Sequence, residues 1–162
     1  MRSSAPVRTD RRRLDSNVSR RNPSPANPLV GTWERTSLKV DGTLGQPPAA
    51  PLILILGDDG WFSQTALPAG RKSPGKPLAQ YTVDDYVASF SNVAAARGTY
   101  SVNGNVLTRK HVASIDPNAI GWEQKSTFTV QSDTLTFVGA NRTGQKVEAT
   151  FRKLKAVDTI TR

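Results

Sequence analysis

Between residues 97 and 139 the chain alternates short runs suited to extended backbone with two-residue turn signals. RGTYSV meets NVLTRKHVAS across Asn103 and Gly104, and WEQKSTFTV meets DTLTFVG across Ser132 and Asp133. Two-residue turns that accept positive φ join antiparallel neighbours, because their local twist matches that of the strands on either side. The punctuation recurs outside this window. GTWERTSLKV starts after Pro28, the apolar run LILIL (52–56) leads through Asp59 and Gly60 into WFSQTAL, and VEATFRKL follows ANRTGQK. About eight short strands with tight connections either stack as a sandwich or close as a barrel.

A chain of 162 residues suits one domain with a real core. It has no cysteine, which excludes disulfides, thiolate metal sites and cysteine nucleophiles. No apolar run approaches the roughly 18 residues of a membrane span, and the opening residues lack the apolar middle of a secretory signal. A cytoplasmic location is expected for the chain as given, with secretion open if a leader has been removed. The net charge of +9 is unevenly spread: residues 1–28 hold seven arginines and two aspartates, leaving +4 for the rest. The arginine-rich stretch has little to bury and carries three prolines, so residues 1–27 are expected to be a disordered basic tail. It lacks the interleaved aromatics of single-strand binders, and no specific nucleic-acid partner is expected. Residues 28–155 then form the folded domain and 156–162 a C-terminal tail.

One segment breaks the β pattern. In YTVDDYVASFSNVAAA, Val83, Tyr86, Val87, Phe90 and Ala94 fall at helical spacing, and Thr82 and Asp85 form a capping-box pair. A helix over 82–96 follows. The preceding LPAGRKSPGKPLAQ, with three prolines and two glycines, reads as a long loop. Loop and helix together suggest a lid over one end of a barrel.

Gly31-Thr32-Trp33 on the first strand resembles the Gly-x-Trp signature of lipocalins and the wider calycin group, and LVGTW is similar to bacterial and fungal lipocalin-like domain proteins. SIDPNAIGWEQ (114–124) resembles that family's Ser-x-x-Pro-Asn-x-x-Gly-x-Glu-Gln segment, and RGTYSV before it also fits. The resemblance spans roughly residues 28–155. It implies an all-β fold, an eight-stranded antiparallel up-and-down barrel with the short helix as lid. It also implies that Trp33 plugs the closed end, against a basic residue of the last strand. The family pattern of aromatic, any residue, arginine falls on Phe151, Arg152 and Lys153. Strict register puts Lys153 at the basic position, whereas Arg152 has the better chemistry for stacking on an indole; both remain candidates.

An eight-stranded barrel has room for packed side chains or one small ligand, so the inward positions decide its use. Counting from Trp33 puts Arg35, Ser37 and Lys39 inside, unless a bulge switches the faces and brings Leu38 and Val40 in. Leu107, Arg109 and His111 share one face. Phe128 and Val130 carry Trp122, Gln124 and Ser126 inward with them, and Trp61, Ser63 and Thr65 alternate with Phe62 and Gln64. His111, the sole histidine, titrates near neutrality and is the first candidate acid or base, with Tyr86 and Glu123 as further catalytic candidates. Arg35, Ser37, Trp61, Ser63, Tyr81, Phe90, Tyr100, Arg109, Trp122, Gln124 and Phe128 are candidate ligand-binding residues.

Other motifs fail. GRKSPGKP (70–77) matches a phosphate-cradling loop until Pro77 stands where Ser or Thr would hold magnesium. One histidine and scattered acids make no metal site, and no dinucleotide fingerprint or nucleophile elbow is present. Neither metal nor cofactor is expected. The partner is a small hydrophobic molecule, and the protein a monomer or homodimer. Two function classes remain: a cofactor-free isomerase, cyclase or lyase acting on a polyketide- or terpenoid-like natural product, favoured by the polar groups among the aromatics, and a non-catalytic carrier.

Overall fold

The computed structural model describes residues 27–45, 51–68, 71, 73–91 and 93–155. Residues 1–26 of the expected N-terminal tail and all of the expected C-terminal tail fall outside the described residues, Asn27 and Lys155 being where the description begins and ends. The strands are β1 (Gly31–Val40), β2 (Thr43–Leu44), β3 (Leu52–Leu56), β4 (Trp61–Ala66), β5 (Ala94–Asn103), β6 (Val106–Ser114), β7 (Glu123–Gln131), β8 (Thr134–Ala140) and β9 (Lys146–Leu154). Each pairs antiparallel with its neighbour in the order β2-β1-β3-β4-β5-β6-β7-β8-β9, and β1 also pairs with β9. That last pairing closes an eight-stranded up-and-down barrel and removes the free edges. The two-residue β2 is a stub folded back on the end of β1.

Turn chemistry sets the register. Ser132 and Asp133 form the two-residue loop between Gln131 and Thr134, with Ser132 at φ 52°. The β5–β6 loop is Gly104–Asn105, one residue later than NG spacing suggests, because the pairing closes Asn103 on Val106 and puts the positive-φ glycine first. Asp41 and Gly42, both at positive φ, make the β1–β2 turn, a signal present in KVDG.

The core fills one end. Leu29, Trp33, Leu54, Leu56, Phe62, Leu107, Leu135, Phe137, Ala149 and Phe151 form one buried cluster. LILIL explains its own two-sidedness: Leu54 and Leu56 are buried while Ile55 is exposed. Each fully buried large side chain contributes about 1.5–3 kcal/mol. Trp33 has no exposed surface, and its indole N–H donates to the Leu29 carbonyl at 2.8 Å, so its one polar atom is satisfied. The basic partner is Lys153, which lies opposite Trp33 in the β1–β9 register and holds its Nζ 5.2 Å from the ring centroid. Arg152 sits on the outer face in an ion pair of 2.6 Å with Glu34. Gly31 makes room for the lysine: at φ 143° a Cβ there would come within 2.9 Å of Lys153 Cε.

Two bulges re-aim side chains. Arg35 faces Phe151 and Ser37 faces Thr150, so Thr36 is the extra residue in β1. Beyond it the faces switch and Leu38 turns inward opposite Ala149, while Ser37 and Lys39 turn outward, Lys39 pairing with Glu148 at 2.7 Å. In β6, Val112 is extra between His111, which faces Gly98, and Ala113, which faces Arg97.

The helix is real but shorter than its sequence spacing predicts: α1 covers Val83–Phe90. Ala94–Ala96 pair instead with Ala66–Gln64 of β4, where sheet hydrogen bonding outweighs the helical preference of alanine. The capping box forms, Thr82 Oγ1 accepting from Asp85 N–H at 3.3 Å and Asp85 accepting from Thr82 N–H at 2.7 Å. Lys76 and these Thr82 bonds bring the Asp85 carboxyl down to about 2. α1 is not seated as a lid. Its apolar face is open, with Val83 78% and Phe90 44% exposed and only Ser89 buried.

Candidate functional site

Above the core, toward the end of the barrel away from Trp33, lies a cavity of about 190 Å³. Its floor is apolar, made by Leu52 of β3, Phe137 of β8, and Ala149 and Phe151 of β9, with Leu38 of β1 brought in by the Thr36 bulge. Its polar groups are Arg35 of β1, Gln64 of β4, Arg109 and His111 of β6, and Gln124 and Ser126 of β7, with Trp122 just before β7.

Arg109 is 8% exposed. Its guanidinium lies 5.6 Å from the ring centres of both Phe62 and Phe137. One terminal nitrogen donates to Gln64 Oε1 at 3.3 Å and the other to Gln124 Oε1, while Nε has no acceptor among the described residues. Burial lowers its pKa from the ordinary guanidinium range to about 10, so it stays charged at neutral pH. The Arg35 Nε is likewise buried without an acceptor, and burial lowers that pKa too. Among the described residues neither Asp nor Glu lines the cavity, and none of them balances the charge from within.

His111 is 3% exposed. Its ring meets Phe62 edge to face at 5.2 Å and lies tilted against Trp122 at 5.2 Å. Neither ring nitrogen has a hydrogen-bond partner among the described residues. Burial, reinforced by the Arg109 charge, lowers its pKa below 6.5, leaving a neutral imidazole at pH 7. His111, Gln64 and Trp122 also line a wider basin of about 280 Å³ at the mouth, walled by Val93, Ala94–Ala96, Ile115 and Ala119. Asp116 and Arg142, paired at 3.3 Å, stand at its rim.

The expected site residues therefore divide. Arg35, Arg109, His111, Trp122 and Gln124 meet at the cavity, and Phe128 turns inward to pack against the core. Ser37 is outside because of the bulge. Trp61 and Ser63 are also outside: Leu56 pairs with Phe62, which fixes Phe62 and Gln64 as the inward members of β4, and Arg97 covers Trp61 at 5.0 Å. Glu123 points outward, 3.7 Å from Lys110. Tyr100 belongs to the closed end, its hydroxyl donating to the Gly57 carbonyl at 2.5 Å. Tyr81, Tyr86 and Phe90 associate with one another at the helix, ring centres 5.4 and 6.0 Å apart, and none lines the cavity. Gln64, Ser126 and Phe137 line it without having been singled out as site residues. The leucine alternation of β3, carried across the β3–β4 hairpin, is the signal that selects Gln64.

No curated protein matches the chain. Among solved structures, a lipocalin-like protein from Bacteroides uniformis aligns with a TM-score of 0.50 at 16% identity, covering 79% of this chain and all of that one. An uncharacterized protein from Bacteroides eggerthii aligns with a TM-score of 0.48 at 11% identity, covering 78% of this chain and 99% of that one. A de novo designed fluorescence-activating β-barrel gives 0.43 at 12% identity, covering 78% and 94%. The family model of the lipocalin-like domain matches residues 30–159, which takes in every strand of the barrel, and the chain belongs to the lipocalin-like domain family.

Proposed function

We propose that the barrel takes up a small molecule in the cavity beneath His111 and moves a proton on it without a cofactor, as an isomerase, cyclase or lyase does. The supporting observation is an imidazole 3% exposed, lining a cavity, with neither nitrogen partnered among the described residues. Buried polar groups normally have partners, so a free ring at this place is available to a ligand. Held neutral by burial, it can accept a proton from a carbon acid. The neighbouring Arg109 charge stabilises the oxyanion so formed, and the imidazolium returns the proton to another ligand atom. Polyketide- and terpenoid-like molecules offer such acidic C–H groups. A carrier function is the second reading, favoured because Glu123 and Tyr86 lie away from the cavity and leave His111 alone among the three catalytic candidates.

Phenylpyruvate, a small keto acid with an acidic methylene, tests both. Binding is read from the ring resonances of the sole histidine, and catalysis from methylene hydrogen–deuterium exchange. The catalytic reading expects exchange accelerated about 100-fold or more and lost in His111→Gln. Shifted resonances with no acceleration favour the carrier. Undisturbed resonances argue against both.

A further inference from the structure

Resting on that reading of the cavity, we infer that the ligand is an amphiphilic organic acid. Its compact carboxylate or enolate head lies against Arg109 and Arg35, and its apolar tail leaves past His111 into the mouth basin. The head is argued from charge. A buried cation is costly unless paired, and Arg109, more than nine-tenths buried, has only the neutral oxygens of Gln64 and Gln124 as hydrogen-bond partners among the described residues. No acid among the described residues lines the cavity. The acids that flank it in sequence are engaged elsewhere: Glu34 with Arg152, Glu123 with Lys110, Glu148 with Lys39. None of the described residues balances the charge, and an acidic ligand supplies it.

Hydrogen bonding points the same way. The Nε–H groups of Arg109 and Arg35 are buried donors without acceptors among the described residues, and a carboxylate brings two acceptor oxygens and the planarity that guanidinium recognises. The size fits as well, since a cavity of roughly 150 Å³ accommodates a benzene ring and this one is about 190 Å³. The tail is argued from continuity. The inner cavity and the basin share Gln64, His111 and Trp122, and beyond them the wall is mostly alanine, valine and isoleucine, with Ser114 and the Asp116–Arg142 pair toward the rim.

The experiment compares benzoate with benzamide, matched in shape and different in charge, by calorimetry and by the His111 resonances. The expected result is benzoate bound about ten-fold tighter or more, with that preference lost in Arg109→Met and reduced in Arg35→Met. Circular dichroism establishes that each variant is folded. If Arg109→Met does not fold, Arg35→Met decides. Benzamide bound as well as benzoate, or the benzoate preference kept in the folded variants, overturns the acid assignment and leaves small-molecule uptake intact. Binding of neither probe, together with no response to phenylpyruvate, removes the uptake reading and this inference with it.

Discussion

Replacing Arg109 by methionine is expected to stabilise the ligand-free protein. Burial lowers the Arg109 pKa from the ordinary guanidinium range to about 10, and at roughly 1.4 kcal/mol per pKa unit the folded state carries a desolvation cost of about 3 kcal/mol. Methionine removes the charge, keeps a long flexible shape, and places a thioether between Phe62 and Phe137, where sulfur–aromatic contact is favourable. Against this stand the lost bonds to Gln64 and Gln124, at about 1 kcal/mol each. Both glutamines are only half-buried and face the cavity, so water recovers part of that loss. A net gain of about 1–2 kcal/mol remains, in line with the effect of replacing buried ionic groups by apolar ones. For a domain of this size it amounts to a rise in Tm of roughly 3–8 °C. Urea and thermal denaturation in a buffer free of carboxylates measure it. A loss of about 2 kcal/mol or more would show that the guanidinium supports the fold itself, and the argument that its charge is kept for a ligand would fall.

Two further predictions concern stability. Because burial and then Arg109 lower the His111 pKa below 6.5 in the folded protein, the unfolded chain binds that proton more tightly. The stability associated with a neutral His111 is complete above pH 6.5, falls as pH drops below that value, and levels off once the folded pKa is passed; denaturation midpoints in the wild type should show this step and those of His111→Gln should lack it. At the closed end, Lys153→Ala should cost about 1–2 kcal/mol through loss of the packing and cation–π contact on Trp33, while Arg152→Ala, in an exposed ion pair with Glu34, should cost about 0.5 kcal/mol or less. The reverse order in urea titrations would mean that the register is shifted by one residue.

The barrel was legible because its strands are short, its turns carry Gly, Asn and Asp at the required positions, and Gly31-Thr32-Trp33 with SIDPNAIGWEQ placed the order of elements. The interior was legible only in part, because strand parity survives just as far as the next bulge. Trp33 predicts Arg35 inside, correctly, but Thr36 inserts a residue and exchanges Ser37 for Leu38. On β4 each face sets an aromatic beside a polar residue, and composition cannot rank Trp61 with Ser63 against Phe62 with Gln64; the pairing of Leu56 with Phe62 decides. Alternation along β7 had one answer, because Phe128 and Val130 stand in step with Trp122, Gln124 and Ser126. α1 was legible in its cap and not in its seat: spacing shows that a helix has an apolar face, and says nothing of whether that face is covered. Here it is left open.

The three tryptophans sit at three depths. Trp33 is sealed in the plug, Trp122 stands between the inner cavity and the basin, and Trp61 lies on the outer wall, 39% exposed beneath Arg97. Their emission should therefore separate by colour and by access to quencher. Iodide should reach Trp61 first, a compound entering the barrel should dim Trp122, and the blue-shifted Trp33 signal should hold until the plug itself melts. Single-tryptophan variants would follow filling, surface events and unfolding independently in the same molecule, with no added dye.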